Sequence, residues 1–229
     1  MEKLNHLELY DIKGNGAIFG EDRSYRYALY RIWDPTLTTI MFIGLNPSTA
    51  NETEDDPTIR RVKRFAKDNG YGSVMMVNLF AYVTAYPEEL KKCADPVGKF
   101  NDQFLKDLGK TCSEIVFAWG SFPEAKDRAK EVIKLFPDGV CLLQNRDGSP
   151  RHPLYVPADT KLKKFIGPYG VCKVCGCVDN NACNHPEHGN CFWIDDDHDL
   201  CSHCYIPEWR EEEKTIHRIL DKYKTTKEE

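Results

Sequence analysis

Residues 39–47 read TIMFIGLNP. The apolar run from Ile40 to Leu45 is short and stops at the turn pair Asn46-Pro47. Such a run suits a strand covered on both faces, because a strand with one wet face would alternate. Three more runs of this kind follow: VMMVNLF (74–80), IVFAW (115–119) and VCLL (140–143). Between them lie stretches with helical spacing, Pro57–Asp68, Pro96–Leu108 and Phe122–Phe136. Asp56 suits an N-cap before Pro57, and Gly70 suits a stop. Tyr25–Trp33 alternates, is rich in aromatics and adds an early strand. The repeated strand–helix order predicts an α/β domain over residues 1–168. Its expected form is a three-layer, open and mostly parallel sheet with helices on both faces.

The chain has 229 residues, 41% of them hydrophobic, which is enough to bury a core. Nowhere does the sequence approach the roughly 18 consecutive apolar residues of a membrane helix. Met1 to Tyr10 lack the apolar stretch of a signal peptide, so the expectation is a cytoplasmic protein without a membrane. The net charge of -5 speaks against a surface coated with cations for nucleic acid. That charge is unevenly spread. Residues 1–168 carry 24 Lys+Arg and 23 Asp+Glu, while residues 169–229 carry 7 and 13.

The cysteines divide at the same place. Seven of ten fall between Cys172 and Cys204. In a reducing compartment such clustering points to metal rather than to disulfides. Cys172-x2-Cys175 and Cys201-x2-Cys204 have the spacing of a four-cysteine zinc site. Cys177, Cys183 and Cys191 remain for a second site, with His188 as the fourth ligand and His185 as its rival. One or two zinc ions are therefore expected over residues 169–206, with an iron–sulfur cluster as the alternative. Asp195, Asp196, Asp197 and Asp199 read as a solvated loop. Pro207–Lys224 reads as a helix within a C-terminal segment 207–229, with acidic residues early and lysines late. The cysteine stretch resembles small modules appended to phage and prophage proteins, a likeness that implies no activity.

Polar residues gather after the apolar runs of the main domain. Asn46 and Ser48 follow the first, Asn78 ends the second, Trp119-Gly120 close the third, and Arg151-His152-Pro153 follow the fourth. In open α/β sheets these strand ends form the ligand crevice.

Taken in order, Gly44-Leu45-Asn46-Pro47, a strand ending in Asn78, Trp119-Gly120 and His152-Pro153 resemble the motifs of the uracil-DNA glycosylase superfamily. A closer resemblance, over about residues 20–165, is to the DUF1643 family. It rests on residues 45–50 (LNPSTA), Asp56-Pro57-Thr58, residues 77–82 (VNLFAY) and residues 150–155 (PRHPLY). The glycosylase resemblance implies roles for single residues. Asn46 would position water at the sugar, His152 would stabilise the departing base, and Asn78 would read the base edge. Asp56 has two readings, helix cap and general base. Gly44, Leu45, Pro47, Ser48, Phe80 and Arg151 would complete the substrate pocket. Leu154 is either packing or a wedge that enters DNA. The chain departs from the uracil-specific branch. It has Asn46 in place of an aspartate, Ser48-Thr49-Ala50 in place of the tyrosine that excludes thymine, and no His-Pro-Ser-Pro run.

Arg60, Arg61, Arg64 and Lys67 offer a phosphate track on the helix after Asn46; a solvated helix face is the other reading. Lys161, Lys163 and Lys164 form a second basic cluster. Three classes of function follow. One is an N-glycosylase acting on DNA or a nucleotide, with a modified or mismatched base as target. The second is a non-catalytic binder of bases, nucleotides or nucleic acid. The third is an enzyme acting on nucleotide-like small molecules.

Overall fold

A computed structural model describes residues 14–165, 172, 174, 175, 177, 182–194 and 200–205. Contacts divide the chain into two units between Phe165 and Ile166. The expected helix Pro207–Lys224 and the acidic run at 195–199 lie outside the described residues.

Seven strands form the sheet of the first unit: β1 (Gly16–Phe19), β2 (Arg26–Ile32), β3 (Thr39–Gly44), β4 (Ser73–Asn78), β5 (Glu114–Phe117), β6 (Val140–Cys141) and β7 (Lys163–Lys164). Their order is β1-β2-β4-β3-β5-β6-β7. The four central strands run parallel, and β1, β2 and β7 pair antiparallel at the edges. The helices are α1 (Pro57–Asp68), α2 (Asn101–Gly109) and α3 (Lys126–Leu135).

The unbroken apolar runs have the physical cause expected of them, since both sheet faces are covered. Side chains alternate across a strand. Ile40, Phe42, Val74 and Met76 therefore join one core with Ile59, Val62, Phe65 and Ala66 of α1. Met41, Ile43, Met75 and Val77 join a second core with Phe104, Leu105 and Leu108 of α2 and Ala129 and Val132 of α3. Each such side chain contributes about 1.5–3 kcal/mol when fully buried. The result is a three-layer α/β unit.

Local chemistry sets the helix limits. The Asp56 carboxylate accepts the Ile59 amide at 2.8 Å and caps α1. Gly70, at φ 82°, turns the chain, and the Tyr71 amide reaches the Ala66 carbonyl. Helix α2 begins later than its apolar spacing suggests. Gly98 at φ 82° forms a turn after Pro96, so the helix starts at Asn101. Strand β6 is shorter than the run 140–143, because only Val140 and Cys141 find ladder partners.

Two buried arginines fix the loop between β3 and α1. Arg31 is 1% exposed. It pairs with Asp55 at 2.8 Å and donates to the Asn51 carbonyl at 2.7 Å. Arg26 donates to the Ala50 carbonyl at 2.7 Å. In the second unit, β8 (Asn184–His185) and β9 (Gly189–Asn190) form a hairpin, followed by the short helix α4 (Ser202–Tyr205). Among the described residues no helix is long and apolar enough to cross a membrane.

Candidate functional site

The strand order reverses direction at β3, because β4 and β5, the two strands that follow it in sequence, lie on opposite sides of it. Chain segments leaving the carboxyl ends of such strands diverge and open a crevice. A cavity of about 380 Å³ occupies that place. Gly44, Leu45, Asn46, Ser48, Asp56, Asn78 and His152 all line it. Pro47, Phe80 and Arg151 are not in its lining. Phe80 belongs to the core instead, and Arg151 turns to the Asn145 side-chain oxygen at 3.0 Å.

Asn78 is 1% exposed, yet neither its side-chain oxygen nor its nitrogen has a hydrogen-bond partner. Each unmet buried polar atom disfavours folding by about 1–3 kcal/mol. The backbone around it is well held, because the Asn101 amide donates to the Asn78 and Leu79 carbonyls, each at 3.0 Å. Gly44 makes room for the Asn78 amide. A Cβ at Gly44 would meet Asn78 Oδ1 at 2.8 Å and the Met76 methyl at 2.5 Å. The cavity wall thus carries an amide edge with one donor and one acceptor on offer.

The other polar side chains have defined orientations. Asn46 Nδ2 donates to the Pro47 carbonyl at 2.9 Å and to the Thr84 carbonyl at 2.7 Å. Two acceptors at the nitrogen identify it and assign Oδ1 as the acceptor end. His152 Nδ1 accepts the Leu154 amide in a long bond of 3.4 Å, which assigns the ring proton to Nε2. Burial lowers the His152 pKa, and Asp56 partly offsets this. A neutral imidazole with an Nε2–H donor is the resulting form. Asp56 lines the cavity while capping α1, so the capping role is present and the second role remains sterically open.

Arg26, Thr84, Trp119, Phe122 and Tyr155 also line the cavity. Arg26 was invisible as a site residue because it opens an alternating strand that reads as scaffold. Its Nε is buried without a partner. Burial lowers its pKa to about 10, and nearby Asp56 opposes that shift. A pair of arginines, Arg26 and Arg31, in an otherwise apolar and aromatic strand was the available signal.

The basic residues of α1 have intramolecular partners. Arg61 binds the Pro153 carbonyl at 3.3 Å and also the Val156 carbonyl, so it holds the loop that carries His152. Arg60 reaches the Asp55 carbonyl, Arg64 lies 3.6 Å from Asp68, and Lys67 sits over the Trp33 ring. Arg60, Arg64 and Lys67 share the exposed face. Lys163 and Lys164 form the exposed edge strand β7.

A family model described as "Protein of unknown function (DUF1643)" matches residues 26–154. The chain belongs to the DUF1643 family. The matched span begins at Arg26 and ends beside Tyr155, so it contains every other residue that lines the cavity. Among curated proteins and among solved structures, none matches this DUF1643 chain.

The second unit holds a sulfur cluster that could bind a metal ion. The thiols of Cys172, Cys175, Cys177 and Cys201 lie within 4.8 Å of one another, and so do those of Cys177, Cys183, Cys191 and Cys201. Cys204 and His188 are outside both sets. Against burial, which raises it, amides of Cys175, Cys201 and Val174 lower the Cys172 thiol to about 6. Burial and then neighbouring thiols push the Cys183 thiol well up. A cation among the sulfurs would favour the thiolate at every position.

Proposed function

We propose that the cavity binds a nucleobase and that the protein is an N-glycosylase acting on DNA. The carrying observation is the Asn78 amide, buried at the cavity wall with its donor and acceptor both unmet. A nucleobase presents adjacent donors and acceptors in one plane and satisfies both atoms at once. The uracil-DNA glycosylase-like motifs of the sequence agree with this choice of ligand.

The chemistry has a place for each group. Water attacks the anomeric carbon, the base–sugar bond breaks, and its electron pair leaves with the base. Asn46 Oδ1 orients the water by accepting its proton in a hydrogen bond. His152 Nε2–H donates to the base oxygen on which negative charge develops. Asp56 takes the water's second proton as the general base. Arg26 adds a buried positive charge on the same wall. Leu154 is 43% exposed and Tyr155 75% exposed beside His152. Exposed apolar side chains at a pocket mouth suit a wedge that fills the gap left by a flipped base.

A second reading is a pocket for a free nucleotide. The engagement of Arg60, Arg61 and Arg64 within the fold favours it, since that leaves less of a phosphate track. One panel separates the two. DNAs carrying modified bases are assayed for abasic sites, and free nucleosides and nucleotides for base release. Abasic sites that disappear in Asn46→Ala and His152→Ala support the DNA reading. Cleavage of the free compounds alone moves the activity to nucleotides. Full activity in both variants ends the catalytic reading.

We also propose that the cysteine module binds zinc and is of the phage-protein type. Four thiolates at zinc–sulfur bonds of about 2.3 Å stand about 3.8 Å apart in a tetrahedron. Sulfur separations of 3.5, 3.7 and 3.8 Å occur here. Iron–sulfur clusters interpose inorganic sulfide and spread their cysteines further.

A further inference from the structure

Seven cysteines leave two tetrahedral ions one ligand short, because the ions need eight ligand positions. A histidine at the eighth position is the sequence expectation, and the geometry offers another answer. Cys177 and Cys201 each belong to both sets of mutually close thiols, and Cys201 is the more deeply buried of the two. It is fully buried. Its sulfur lies 3.7 Å from that of Cys175 on one side and 3.8 Å from that of Cys183 on the other. Cys204 is outside both sets, but its thiol is in interaction range of those of Cys175, Cys172 and Cys201. Cys177 lies 3.5 Å from Cys191.

We infer that the module binds a dinuclear cluster in which the Cys201 thiolate bridges two metal ions. Cys172, Cys175 and Cys204 complete one tetrahedron, and Cys177, Cys183 and Cys191 complete the other. Every cysteine of the module then has a ligand position, and no histidine is required. A thiolate sulfur has lone pairs enough for two cations, and the shared negative charge screens their mutual repulsion. The histidines have positioning roles instead. His203 Nδ1 is 3.3 Å from the Cys183 sulfur, within reach of a hydrogen bond that would orient that ligand. His185 Nδ1 accepts the Glu187 amide at 3.2 Å and stacks on His188 at 4.7 Å. The arrangement rests on the reading of the module as a metal site.

The test uses the full chain, stripped of metal and titrated with Co²⁺, then loaded with ¹¹³Cd²⁺. Thiolate-to-cobalt absorbance should saturate at two equivalents. The ¹¹³Cd spectrum should show two resonances, each split by the other through the shared sulfur. Cys201→Ser should lose both ions, Cys191→Ser and Cys204→Ser one each, and His188→Ala and His203→Ala none. Absence of uptake overturns the metal reading itself. Saturation at one equivalent, or two unsplit resonances, overturns the bridge and leaves a metal site standing. Loss of one ion in His203→Ala gives the eighth position to histidine and also overturns the bridge. Splitting that persists in Cys201→Ser overturns the assignment of the bridge to Cys201. If Cys201→Ser does not fold, the splitting in the unsubstituted protein decides.

Discussion

In the first unit, Ile40, Phe42, Val74 and Met76 are covered by α1 on one face, and Met41, Ile43, Met75 and Val77 by α2 and α3 on the other. In the second unit, the buried cluster among the described residues consists of Cys172, Cys177 and Cys201, with Trp193 and Leu200 packed against it. One region is held by apolar area removed from water; under the proposed metal site, the other is held by what its sulfurs bind. The difference teaches where each region is vulnerable. A large core loses stability in increments, residue by residue. A module without one loses its fold when its ligand leaves.

The largest effect should separate the two units directly. If the module holds zinc as proposed, chelation should remove a contribution on the order of 10 kcal/mol per ion. Hydrogen exchange on the full chain should then show residues 182–194 and 200–205 losing protection while β3 and β4 keep theirs. Equal loss in both regions would break the comparison. Next comes Phe42→Ala, which should destabilise the first unit by about 3–5 kcal/mol in denaturant unfolding. Metal content should not change.

Within the first unit the site differs from the core around it. Asn78→Ala removes two unmet buried polar atoms, so unfolding free energy should hold or rise by about 1 kcal/mol. Affinity for a nucleobase ligand should fall at least about tenfold, the loss of one or two hydrogen bonds to the edge. Loss of stability alongside affinity would show that Asn78 serves the fold. The smallest effect concerns pH. Burial holds the His152 pKa below the ordinary 6.5. The folded state therefore takes the proton less readily than the unfolded one, and the neutral form is retained above pH 6.5. Stability should be flat above that pH and decline as it falls further. A titration from pH 8 to 5 on the wild type and on His152→Gln measures this, and the variant should lack the decline.

The parallel strands were legible because double burial writes itself as unbroken apolar runs. Asn46, Asn78 and His152 were legible because each ends or follows such a run, and strand direction then places them at one edge. Arg26 and Thr84 were not, since nothing local tells that β2 and the segment after β4 face the same cavity. Pro96 hid the start of α2, because a proline suits either a turn or a first helical position, and Gly98 decided for the turn. In the cysteine module spacing singles out Cys172–Cys175 and Cys201–Cys204, whereas the described thiols group Cys177 rather than Cys204 with Cys172, Cys175 and Cys201. The placement of Cys201 between the sulfur sets was not legible, because spacing carries no distances across a hairpin.

Arg61 has a consequence beyond its own bonds. It joins α1 to the carbonyls of Pro153 and Val156, one turn after Asp56 caps the same helix. Asp56 and His152 stand on the cavity wall as two jaws, and α1 is the rigid bar that sets the gap between them. The gap is therefore gauged by a helix, although both jaws sit on loops. Loop sequences around the cavity can diverge among relatives without changing that gauge, as long as the bar and its clasp persist.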